Sequence, residues 1–106
     1  MAMNIGDYVY VYLFELEKTI VNMEQLREDR FGIIEDKNIL PCNIGEQIIV
    51  YKIRLLKSNQ VIEYKSNNLS TNIASLCDLI DIIGRAQISQ EKKDDLLEQL
   101  DRVVKG

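Results

Sequence analysis

The chain contains no histidine, which removes the side chain best suited to proton transfer near neutral pH. Acid-base work would fall to a perturbed carboxylate, Lys, Cys or Tyr, and no local pattern marks one out. The acidic pairs in "EDR" (28–30), "ED" (35–36) and "KKDD" (92–95) read as solvated turns. Only two cysteines are present, Cys42 and Cys77, so a zinc site built from four Cys or His ligands is excluded. Cys77 reads as a small buried thiol on a helix face, and Cys42 as a loop residue beside Pro41. Neither a phosphate-cradling glycine loop nor a nucleophile elbow occurs. No catalytic residue, metal or cofactor is therefore expected.

Other shortages bound the class. One proline and five glycines in 106 residues are too few for a low-complexity chain, and 46% apolar residues suit an ordinary globular one. Apolar runs fall far short of the roughly 20 residues that span a bilayer, and the N-terminus lacks a basic segment followed by an apolar one. No membrane partner is expected, and a cytoplasmic location follows as the default. Basic residues are outnumbered, with 13 Lys and Arg against 17 Asp and Glu, and neither half of the chain is basic. Nucleic acid is a disfavoured partner, because duplex affinity draws on Lys and Arg neutralising phosphates.

What is present is pattern. In "IGDYVYVYLF" Tyr8, Tyr10 and Tyr12 alternate with Val9, Val11 and Leu13, a two-faced strand behind a Gly-Asp turn. "RFGIIEDKN" reads as a strand from Arg30 to Glu35, with Gly32 at a bulge or close approach and "EDKN" as the closing turn. "EQIIVYKIRLL" sets Ile49, Tyr51, Ile53 and Leu55 against Ile48, Val50, Lys52 and Arg54. The "KSNQ" turn joins it to "VIEYK" as a hairpin over 46–65. Between these, residues 15–29 carry two signals: "TIVN" reads as strand, whereas Ile20, Met23, Glu24 and Arg27 share a helical stripe.

From "SNNLSTN" onward the period lengthens. Ile73, Leu76, Cys77, Ile80 and Ile83 make one helical stripe, with Ser70 or Thr71 as N-cap and Gly84 as stop. A second helix follows Ser89 and stripes Leu96, Leu97, Leu100, Val103 and Val104. Its outer face pairs Glu98 with Arg102 and Asp101 with Lys105. The layout is α+β in one domain: a β-rich core over 5–69, then a helical pair over 70–106 that packs on it or on a second subunit.

The order "IGDYVYVY", "RFGIIEDK", "IIVYKI", "VIEYKSNNL" resembles the SH3-like small β-barrel family over residues 5–69. That likeness implies a small antiparallel barrel or curled sheet, with two C-terminal helices beyond the minimal pattern. Within that fold the chain is also similar to the MazF-like toxins, which are ribonucleases. Arg30 falls where their second strand begins with Arg, although Phe31 stands in place of the usual Pro. The ribonuclease resemblance thus implies Arg30 as its functional residue.

The favoured expectation is a non-enzymatic module that binds another protein, as accessory factors of bacteria and mobile elements do. Its candidate binding residues are Tyr8, Tyr10, Tyr12, Tyr51 and Tyr64, since tyrosine gives large contact area at small entropic cost. The competing structural role for these rings is packing beneath the helices. Lys52 and Arg54 share a face by parity and form, with the 46–65 hairpin, the candidate surface for a nucleic-acid-binding alternative. A homodimer through the helices of 70–105 is the expected mode of self-association.

Overall fold

The computed structural model describes residues 3–13, 16–22, 25–41, 45, 47–67 and 71–105, with nothing said of the Glu17 side chain. The elements run β1 (Tyr8–Leu13), α1 (Leu16–Asn22), a 3-10 turn (Glu28–Arg30), β2 (Phe31–Pro41), β3 (Gln47–Leu55), β4 (Val61–Lys65), β5 (Thr71–Ser75), α2 (Leu76–Arg85) and α3 (Gln90–Lys105). All five strands form one antiparallel sheet in the order β4-β3-β2-β1-β5. The outermost strands do not pair with each other, so the sheet stays open instead of closing into a barrel. Two C-terminal helices follow it, giving the α+β arrangement.

The alternation of β1 builds two cores at once. Tyr10 faces the helices and joins Phe31 and Ala74 under Leu16 and Ile20 of α1, Leu79 and Ile83 of α2, and Leu96 and Leu100 of α3. Val9 and Val11 face the opposite way and meet Ile34, Tyr51, Ile53, Tyr64 and Ile73, contributed by the other four strands. No described helix lies over that second cluster. Its side chains are buried against one another, with Met3, Ile49, Leu55 and Ile62 packed around them. Helix α2 rests on β1 and β5, α3 packs on α2, and among the described residues the helical layer also reaches Phe31 at the start of β2.

Several boundaries differ from the sequence pattern. "EDKN" does not end β2: the strand passes it through a bulge between Ile34 and Asp36 and continues to Pro41, paired with β3 throughout. The bulge turns Glu35 towards Arg54, whose guanidinium engages both carboxylate oxygens and also donates to the Asn59 carbonyl at 3.0 Å. "TIVN" lies inside helix α1, so the strand reading of that segment is overturned; Ile20 points into the helical core, and Met23 and Glu24 lie outside the described residues. The helix expected to start at Ser70 or Thr71 is preceded by a strand: Thr71–Ser75 pairs with β1, and Ser75 caps α2 by accepting the Asp78 N–H at 3.2 Å. Gly84 does not stop that helix, which runs on to Arg85. Cys77 is exposed, not buried, and Cys42 lies outside the described residues. On α3 the Asp101–Lys105 pair forms at 3.0 Å, whereas Glu98 and Arg102 form none.

Gly32 fulfils the close-approach reading. A Cβ there would lie 2.5 Å from the Ile53 methyl and 2.9 Å from the Arg54 carbonyl oxygen, the second being backbone that cannot swing aside. Gly32→Ala is expected to lower stability by about 1–3 kcal/mol, and Gly32→Val by more, read from urea unfolding midpoints. Ser75→Ala should cost about 1 kcal/mol through the lost cap, with the sheet intact by circular dichroism.

Candidate functional site

The five tyrosines do not share a surface. Tyr10 is buried under the helices, its ring 4.8 Å from Phe31 and its hydroxyl accepting the Arg27 N–H at 3.3 Å. Tyr12 is half-buried against the same cluster. Tyr51 and Tyr64 oppose one another across β3 and β4 with their centroids 6.3 Å apart, on the other side of the sheet, and Lys37 lies over the Tyr51 ring. Burial raises Tyr10, Tyr12 and Tyr64 above the ordinary tyrosine value. These four rings pack within or against the two core clusters. Tyr8, at the start of β1, is the exception: it is half-buried at a cleft wall.

That cleft lies between the C-terminal half of α3, the 25–29 segment and the β3–β4 turn. It consists of two contiguous hollows of about 530 and 490 Å³ that share Glu28, Lys57, Arg102 and Val103. The first is polar, running past Arg27, Asp29, Asp95 and Gln99. The second has an apolar floor of Tyr8, Leu56, Val103 and Val104. The wall is fixed by the fold: Gln99 on α3 accepts the Leu26 N–H at 2.8 Å, and Leu26 is itself buried, so the 25–27 segment is tied to α3. Tyr10 holds the next residue from beneath, so the core and the cleft share a hydrogen bond.

Charge in the cleft is largely paired internally. Arg27 grips Asp29 through two nitrogens at 2.8 and 3.2 Å, and this hydrogen bond holds the Asp29 carboxyl below the usual carboxylate range. Lys57 lies 3.8 Å from Glu28. Arg102 has no carboxylate partner among the described residues, and it stands beside the apolar floor. At the polar end Asp95 accepts from Gln99 at 3.1 Å. The cleft thus offers an apolar bed beside the Arg102 cation, then a polar run ending in an anion.

The remaining sequence-derived positions lie elsewhere. Arg30 ends the 3-10 turn, half-buried, and its guanidinium makes no hydrogen bond or ion pair with a described residue. Lys52 and Arg54 do share a face, but Lys52 sits in register between Asp36 and Glu63, and Arg54 is engaged by Glu35. With Lys57 beside Glu28, the hairpin cations are interleaved with acids instead of forming one basic patch. Among the described residues no group of Asp, Glu or Cys is arranged to hold a metal ion, and no helix is long and apolar enough to cross a membrane.

Sequence reasoning placed Val103 and Val104 on the core stripe of α3 and missed their role as cleft floor. A stripe of five apolar residues on one helix is wider than a single neighbour, α2, can cover. Leu56, at the hairpin turn, offered the other signal: an aliphatic side chain where turns are ordinarily polar.

Comparison with known proteins found no matching family model, no matching curated protein and no matching solved structure.

Because folding favours the neutral form of the buried Tyr10 phenol, its stabilising contribution is complete below about pH 10 and is lost as pH rises through the raised folded value. The wild type is expected to lose stability above about pH 10, and Tyr10→Phe to lose less over the same range. At neutral pH Tyr10→Phe should cost about 0.5–1.5 kcal/mol for the missing hydrogen bond to Arg27. Denaturant titrations at a series of pH values check both.

Proposed function

We propose that the chain is a non-enzymatic protein-interaction module that holds an extended segment of a partner protein in the cleft between α3 and the 25–29 segment. The observation that supports this reading is the pairing of an apolar floor, Tyr8, Leu56, Val103 and Val104, with the cation Arg102, which has no carboxylate partner among the described residues. Tyrosine and arginine beside aliphatic surface are the residue types that dominate protein-binding energetics, because large area is buried with few rotors frozen. A segment bearing an apolar side chain next to a carboxylate meets both features. The polar half of the cleft, ending in Asp95, suits main-chain amides or a basic residue further along the same segment. Within this reading the family resemblance suggests a small sheet-based binding scaffold, with bacterial or mobile-element accessory proteins as its setting.

Selection from a random peptide library on the immobilised chain tests the proposal. Bound sequences are expected to place Asp or Glu beside an aliphatic or aromatic residue and to shift the amide resonances of Tyr8, Leu56, Arg102 and Val103. Tyr8→Ala and Arg102→Glu should each weaken binding about tenfold or more, corresponding to about 1.4 kcal/mol. Enrichment of peptides whose shifts map away from the cleft would contradict the reading.

A further inference from the structure

The sheet ends on β4, and the outer edge of that strand is open. β4 pairs with β3 without a bulge, Ile62 against Ile53 and Tyr64 against Tyr51. The Leu55 N–H donates to the Gln60 carbonyl at 2.8 Å and the Ser66 N–H to the Ile49 carbonyl at 2.9 Å, which fixes the phase of the ladder. Gln60, Ile62, Tyr64 and Ser66 turn their backbone groups towards β3, so Val61, Glu63 and Lys65 turn theirs away from it. No described residue bonds those outward groups. Nor does the strand carry the proline, glycine or bulge that ordinarily blunts an edge. The opposite edge is not equivalent, because β5 runs from Ser75 straight into α2.

Charge along this edge selects what can add to it. Val61, Glu63 and Lys65 share one face of β4 and are exposed. On that face Glu63 stands opposite Lys52, which stands opposite Asp36 on β2. The row across the sheet therefore runs acid, base, acid, and a base in the next strand continues it. A second copy of β4 supplies one. Two copies related by a two-fold axis pair antiparallel with outward residues opposite outward residues, which allows a centre on Ile62, Glu63 or Tyr64. Centred on Glu63, the two acids face each other; centred on Ile62, Glu63 faces Val61. Centred on Tyr64, each Glu63 faces the Lys65 of the other copy, and both charges of the edge are answered.

We infer that β4 is a homodimer edge, at which two copies join their sheets antiparallel about a two-fold axis at Tyr64 into one continuous sheet. Glu63 and Lys65 of each copy exchange main-chain hydrogen bonds with their opposites, using the groups that the single chain leaves outward. On the other face the Tyr64 ring, already stacked on Tyr51 with centroids 6.3 Å apart, meets the Tyr64 of the second copy, so a row of tyrosines crosses the seam. An unrelated extended segment could satisfy the same main-chain groups. Only one with a base opposite Glu63 and an acid opposite Lys65 also completes the charge row, and β4 itself carries both at that spacing. None of the residues lining the cleft lies on β4, so the contact is independent of the proposal made for the cleft.

Sedimentation equilibrium of the full chain, from about micromolar to about millimolar concentration, tests the inference. The wild type is expected to dimerise, and E63K and K65E each to raise the dimer dissociation constant about tenfold or more, because each sets like charges across the seam. Mixing the two variants should restore the dimer. An E63K chain carries a base at both edge positions and a K65E chain an acid at both, so every pair across the mixed seam is again of opposite sign. A wild type that stays monomeric to about millimolar concentration overturns the inference, as does a dimer that neither variant weakens, or one that the mixture fails to restore. Should either variant lose its native circular dichroism, amide exchange in the wild type decides. The Glu63 and Lys65 amides exchange more slowly as chain concentration rises if β4 is the seam, and a dimer that leaves their exchange unchanged refutes it.

Discussion

The structure depends on burying both faces of β1. Val9, Tyr10 and Val11 are each no more than 2% exposed, although they point alternately to opposite sides. A strand buried on both sides needs cover on both, and the two covers are of different kinds. Helices supply one by stacking on Tyr10, Phe31 and Ala74, and side chains of the other strands supply the other, with Ile34, Tyr51, Ile53, Tyr64 and Ile73 clustered with Val9 and Val11. Among the described residues no helix lies over the second cluster, and the helical layer lies over β1, β5 and the start of β2 at Phe31. The candidate interaction surface follows from that asymmetry. The cleft opens where α3 runs past the hairpin turn.

Much of this arrangement was legible in the residues. The strict alternation of Tyr8–Leu13, the β-branched run of β3 and the wide stripe of α3 each fit only one period, and each forms the expected element. β5 was obscured because two periods fit it. Ile73 points inward whether Thr71–Ser75 is the last strand or the first helical turn, so hydrophobicity alone does not choose. What decides is the partner, since the free side of β1 offers a full ladder to Val9 through Leu13 and Ser75 then caps the helix. "EDKN" misled for a related reason. Four turn-forming residues were held in a strand by the cross-strand engagement of Glu35 with Arg54 and by the ladder on either side of the bulge. Both are cases of tertiary pairing overriding local preference.

The tyrosines show how far parity carries and where it stops. It placed Tyr8, Tyr10 and Tyr12 on one side of β1 and Tyr51 with Ile53 on one side of β3. Parity does not say which side of each strand faces the helices, because that depends on how the strands join. Once the sheet is assembled, four of the five rings serve its two cores, and only Tyr8 borders the cleft. The cleft itself combines residues from β1, the hairpin turn and the last turns of α3, and no local pattern announces a site assembled from such distant segments. Arg102 looked like half of a surface ion pair in sequence; among the described residues it has no carboxylate partner and stands beside an apolar floor.

The central claim, that β1 is held from both faces, makes it the last element to open. Native-state hydrogen exchange read residue by residue tests this most directly. The account predicts that the amides of Val9, Tyr10 and Val11 exchange only with global unfolding, while the amide of Ile39, on β2 beyond the reach of β1, exchanges by far smaller openings. Exchange of the β1 amides as fast as that of Ile39 would contradict it.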